Sequence, residues 1–93
     1  MIDYKKFNLQ EFVNWVAQQP PTTTYNGSNL NCCALAQFGY PGVASDEAFQ
    51  MGLDHDLYIL IISPRINGEA VPTPSTFGVL SNALREAGYE PQL

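Results

Sequence analysis

Leu57-Tyr58-Ile59-Leu60-Ile61-Ile62 is the longest uninterrupted aliphatic and aromatic run in the chain, and any fold must hide it. A bilayer-spanning helix needs ~20 apolar residues, so a run this short belongs in a protein core. It is rich in β-branched isoleucine and short for a helix. The segment Asp56–Ser63 therefore predicts a strand covered on both faces.

The segments around it read mainly as helices. Asn8-Leu9-Gln10-Glu11 is a capping signature, with Asn8 accepting from free N–H groups and Glu11 reaching back. Leu9, Phe12, Val13 and Val16 then recur at helical spacing, with Trp15 on their flank, until Pro20-Pro21 ends the helix. Thr22 to Leu30 predicts an extended segment and a loop turning at Asn26-Gly27, where Asn26-Gly27-Ser28 matches a glycosylation sequon but reads as a turn. Asn31 predicts a cap for a helix over Cys32–Phe38, buried nearly all round because only Gln37 is strongly polar. Gly39-Tyr40-Pro41-Gly42 stops it. Ser45-Asp46-Glu47 starts another helix that runs to Met51 and stops at Gly52. Asn67-Gly68 predicts a tight hairpin returning Glu69-Ala70-Val71 beside Arg65-Ile66, limited to an edge by Pro72 and Pro74. Ser75 or Thr76 caps a last helix with a face of Phe77, Leu80, Ala83, Leu84 and Ala87, closed by Gly88. The expectation is one small α+β domain over residues 1–93, mostly helical, with a minimal antiparallel sheet or hairpin.

A chain of 93 residues makes one domain. Folding buries a little over ~60% of its extended surface, enough for one modest core. Charged residues make up 14% of it, about half the typical ~25%. The surface must be rich in amides and hydroxyls, and part of it suits a covering partner. The net charge is −5, with Asp46, Glu47, Asp54 and Asp56 crowded in the middle. Lys5-Lys6 is the only basic pair, which argues against direct nucleic-acid binding. Nine carboxylates are too few to imitate DNA. Met1 to Lys6 lacks the apolar stretch of a signal peptide, which predicts a cytoplasmic protein.

Chemistry centres on Cys32-Cys33. Neighbouring Cα atoms lie ~3.8 Å apart, whereas a disulfide wants ~4.4–6.8 Å, and there is no third cysteine. A single histidine cannot complete a structural zinc set, and no metal or other cofactor is expected. A thiol in the first turn of a helix is a candidate nucleophile, Cys32 or Cys33 with His55 as base, in a small cysteine-dependent hydrolase or transferase. The Tyr25-Asn26-Gly27-Ser28 loop leading to a cysteine and a helix resembles bacterial cell-wall cysteine peptidases. Those usually have Asp before the cysteine and Ser-Gly after it, where this chain has Asn31 and Cys33-Ala34. The plainer reading makes both thiols small hydrophobes of a buried helix. In Asp54-His55-Asp56 the carboxylates would suit a divalent metal or a raised histidine pKa. Alternation along an extended segment, however, sends the acids to one face and the histidine to the other, as in a solvated loop. No Gly-x-Ser-x-Gly elbow or phosphate loop occurs. Among the tyrosines and Trp15, the residues expected to meet a partner are Trp15, Tyr25 and Tyr40.

Phe12-x-x-Trp15, Pro20 or Pro21, Tyr25, Asn31-Cys32-Cys33-Ala34-Leu35-Ala36-Gln37-Phe38 and Thr76-Phe77-Gly78-x-Leu80 together resemble a set of small proteins encoded by phages and prophages of Gram-negative bacteria. The usual form there has one cysteine, flanked by Asp or Asn, where this chain has two. The resemblance implies an accessory protein of the host cytoplasm that binds a host or defence-system protein stoichiometrically, as anti-CRISPR proteins do. The expected function is then inhibition of such a protein. Asp46, Glu47, Asp54 and Asp56 would face a basic surface that normally receives nucleic acid. A homo-oligomer burying Trp15 is the structural alternative.

Overall fold

A computed structural model of the chain describes residues 4–26, 29, 32–72 and 74–92. Asn8 opens the first helix, α1 (Leu9–Gln18), its side-chain oxygen accepting from the Glu11 N–H at 3.0 Å. Phe12, Val13 and Val16 are buried, and Leu9 and Trp15 pack at the margin. Gln19 leaves the helix in extended geometry, as the following proline demands. After β1 (Thr24–Tyr25) comes α2 (Ala34–Phe38), which starts later than its sequence predicts. Cys33 occupies the cap position in extended geometry, Cys32 lies ahead of the helix, and the expected cap Asn31 falls outside the described residues. Only Ala34 and Leu35 of α2 are buried. Gln37 turns out, and its side-chain amide donates to the carbonyls of Cys32 and Thr24.

The helix α3 (Ser45–Gln50) forms where expected and is followed at once by α4 (His55–Ile62). Here the expected strand over Asp56–Ser63 is corrected to a helix. The Asp54 carboxylate accepts from the Leu57 N–H at 2.7 Å, so the first turn is capped before the apolar run begins. Leu57, Tyr58 and Ile61 then fall on one buried stripe, while Ile59, Leu60 and Ile62 stay half-buried. Measured β preferences span only ~1 kcal/mol, whereas sealing one large aliphatic side chain is worth ~1.5–3 kcal/mol. Burial on a helical stripe therefore outweighs the strand preference of the isoleucines. Ser63 ends the helix at the buried Pro64.

β2 (Arg65–Ile66) and β3 (Glu69–Ala70) form the anticipated hairpin, pairing Arg65 with Ala70 and Ile66 with Glu69. Its turn needs positive φ at both central residues, which Asn67 (55°) and Gly68 (81°) supply. A second antiparallel pair was not legible in the sequence: β1 meets β4 (Ser75–Thr76), with Thr24 opposite Thr76 and Tyr25 opposite Ser75. The pairing continues into α5 (Phe77–Glu86), where Phe77 and Gly78 donate to the carbonyls of Thr23 and Pro21. A Cβ on Gly78 would sit 3.0 Å from both the Pro21 side chain and its carbonyl oxygen, so a larger residue would press this close approach apart by a few tenths of an ångström. The Thr76 hydroxyl caps α5 by accepting from the Val79 N–H, and Phe77, Leu80, Ala83 and Leu84 face the core. Ala87, expected on that face, is exposed at the helix end.

Among the described residues this is an α+β fold, with five α-helices and a pair of two-stranded antiparallel sheets. α5 packs against α1, and Phe12, Phe77, Leu35, Ile61, Leu80 and Leu84 form the sealed centre. The last residues lie along α1, where the Gln10 and Asn14 amides hold the backbone of Glu90 and Gln92. The cap makes α4 testable. Asp54→Ala should lower stability by about 1 kcal/mol in denaturant titration, and Asp54→Asn by much less, because asparagine also caps. Equal losses would mean that the carboxylate does not cap a helix.

Candidate functional site

The corner between α3 and α4 gathers most of the acids singled out in the sequence. Ala48 and Met51 face the core from the α3 turn, which swings Phe49 outward. Phe49 is 80% exposed, the one large hydrophobic side chain so placed among the described residues. Gly52 breaks the helix, Leu53 returns to the core with its N–H on the Ala48 carbonyl, and Asp54 caps α4. This short connection sets Asp46 and Phe49 beside Asp54 and His55 along a groove of about 240 Å³, backed by Leu53 and Tyr58. A larger groove of about 530 Å³ runs along α4, lined by Asp54, His55 and Asp56 together with Leu60, Arg65 and Tyr89. Asp54 and His55 form the ridge common to both.

His55 and its flanking acids are therefore not the extended, alternating loop expected from the sequence. They wrap the first turn of α4 and are all exposed. Glu47 stands on the same corner, but its charge acts on Tyr58. Burial, then Cys33, then Glu47 raise the Tyr58 pKa above the ordinary tyrosine value. The Tyr58 O–H donates to the Val43 carbonyl at 3.1 Å and anchors α4 beneath the site. Among the described residues no three His, Cys, Asp or Glu side chains converge as metal ligands. What the corner offers is an apolar projection beside exposed carboxylates and shallow concave surface, an arrangement suited to docking.

The cysteines part company. Cys33 is 1% exposed, the packed small hydrophobe that the plainer reading gives it. Cys32 is exposed, which corrects that reading for one thiol of the pair. Neither of the grooves lined by His55 includes a cysteine, so neither presents the thiol and imidazole to one substrate.

Of the aromatic residues expected to meet a partner, Tyr25 is 2% exposed and is corrected to a core residue. Its ring packs on Phe77 at 5.3 Å, and burial, with Cys33 nearby, holds its pKa well above the usual tyrosine range. Trp15 is partly buried among Phe12, Phe38 and Phe77. Tyr40 is partly buried against Phe7 and Phe38. Trp15 joins α1 to α2 and α5, Tyr25 joins β1 to α5, and Tyr40 packs on α2 and Phe7. Phe49 is not among the residues singled out from the sequence. The available signal was the Ala44, Ala48, Met51 stripe at i, i+4, i+7, which leaves position 49 outside it.

Thiol accessibility separates the cysteines. In native protein one equivalent of Ellman's reagent should label Cys32, and Cys33 should react only in guanidinium. Rapid labelling of the Cys32→Ser variant under native conditions would show that Cys33 is not sealed. No protein-family model, curated protein or solved structure matches the chain.

Proposed function

We propose that this chain is a small acidic binding protein that acts by stoichiometric contact with a basic protein surface, docking through the α3–α4 corner. The observation that carries this reading is Phe49, 80% exposed and placed on one groove with Asp46, Asp54 and His55. Covering a phenylalanine side chain is worth ~1.5–3 kcal/mol, and interface hot spots are apolar or aromatic anchors inside a polar rim. Asp46, Glu47, Asp54 and Asp56 supply that rim. With a net charge of −5, they would steer the protein to a positive partner and add more to the association rate than to the final affinity.

The resemblance to phage and prophage proteins supports the biological setting. In this reading the chain is encoded by a phage or prophage and works in the host cytoplasm. It inhibits a host defence or regulatory protein, in the manner of anti-CRISPR proteins, by covering a basic surface that otherwise receives nucleic acid. The few basic residues of the chain agree with a protein partner in place of nucleic acid itself.

The test is capture from a Gram-negative lysate on immobilised wild-type protein and on three variants. Phe49→Ser should weaken retention of the captured partner tenfold or more, as expected for a hot spot. Asp46→Lys with Asp56→Lys should slow association, most visibly at low salt. Glu11→Lys, on α1, should leave retention unchanged. The same partner retained equally by all the proteins would overturn the assignment of the corner.

A further inference from the structure

We infer that the groove along α4 receives a cationic side chain with an aliphatic stem, an arginine of the basic partner, and so acts as a specificity pocket beside Phe49. The inference rests on the docking reading and names the chemistry of the contact. The groove, about 530 Å³, falls within the ~300–1,000 Å³ of small-ligand sites. Its charges are ordered by the helix. Asp54 and Asp56 sit at the N-terminal end of α4, and Arg65 follows its C-terminal end. A helix of 8 residues separates those ends by ~12 Å at ~1.5 Å per residue. Among the described residues no ion pair joins Arg65 to either aspartate. Between the ends lie Leu57, Ile59 and Leu60, with Ala87 and the Tyr89 ring from beyond α5.

Each part selects something. The two carboxylates outweigh the ~+0.5 charge of the helix N-terminus, so that end favours a cation. The half-buried Ile59 and Leu60 accept methylene groups, which a long basic side chain lays on apolar surface while its head stays wet. Tyr89 puts an aromatic side chain in the lining, and a guanidinium stacks on aromatics and meets a carboxylate through paired donors better than an ammonium does. Arg65 at the far end repels a second cation and favours backbone carbonyls, orienting the residue with its head toward Asp56. A neutral apolar side chain would leave both charged ends without a counterpart.

The probe is N-acetyl-arginine amide, titrated at tens of millimolar into isotopically labelled wild-type protein, with N-acetyl-citrulline amide as its uncharged match. The arginine compound should shift amide resonances of residues 54–60, 65, 87 and 89 in a saturable way. The citrulline compound should bind several-fold more weakly. Asp56→Asn should weaken arginine binding about three- to fivefold, the scale of a solvent-exposed ion pair, and Glu11→Lys, on α1, should leave it unchanged. Equal binding of both compounds, or shifts absent from these residues, would overturn the inference. The outcomes remain separable from those of the lysate capture. A partner retained equally by wild type and the corner variants while the arginine compound still binds would count against the docking reading alone. A partner lost on Phe49→Ser with no arginine binding to wild type would count against this pocket alone.

Discussion

The 2.7 Å hydrogen bond from the Leu57 N–H to the Asp54 carboxylate settles how the most apolar segment of the chain is used. The same six residues would otherwise need paired strands on both sides, and the described strands are two residues long each. As a helix, the run satisfies its own backbone and asks its neighbours only for apolar contact. Leu57, Tyr58 and Ile61 go into the core against α2, α3 and α5. The turn that places them there also presents His55 and Asp56 to solvent. Core and candidate site are thus consequences of one cap.

Legibility followed the presence of periodic signals. α1 and α5 were readable because their apolar residues recur at helical spacing between a capping side chain and a breaker. The hairpin was readable because Asn67-Gly68 is a turn in itself. The run Leu57–Ile62 is apolar at every position and has no period, so β-branched composition filled the gap and pointed to a strand. The nearby Asp54 cap was the stronger clue. The β1–β4 pairing is two residues joined across 50 positions of sequence; its signal lies in packing around Pro21 and Gly78, which no local pattern carries. At the corner, charge alone pointed to the acids, whereas the burial of Tyr25 was not legible. Trp15, Tyr25 and Tyr40 all pack on other rings of the chain, and amphipathic rings look alike in sequence whether they face a partner or their own fold.

Tyr25 shows what the second sheet demands. Its hydroxyl, like that of the opposing Ser75, is buried without a hydrogen-bond partner among the described residues. An unpaired buried hydroxyl commonly costs ~1–3 kcal/mol, so ring packing on Phe77 and the short ladder must offset it. Burial that leaves the phenol unpartnered also disfavours its ionised form, which is why desolvation leads the rise in its pKa. The sign is definite: the folded chain resists losing this proton, so stability holds up to the ordinary tyrosine pKa of ~10 and declines above it as the unfolded chain ionises. The hydroxyls favour no docking role for this face, because neither reaches the surface.

The α3–α4 corner divides its residues between scaffold and surface. Asp54 caps α4, Tyr58 ties that helix to the Val43 carbonyl, and Leu53 and Ala48 belong to the core. Changing any of them alters the scaffold along with the surface. Asp46, Phe49 and Asp56 have no such obligation: they are exposed on short helices whose inner faces already hold them in place. A low-charge surface makes this division consequential. With only 14% charged residues in the chain, a few uncommitted carboxylates around one exposed ring set most of the local field. Substitutions at Asp46, Phe49 and Asp56 can therefore alter the surface of this corner while leaving the core untouched.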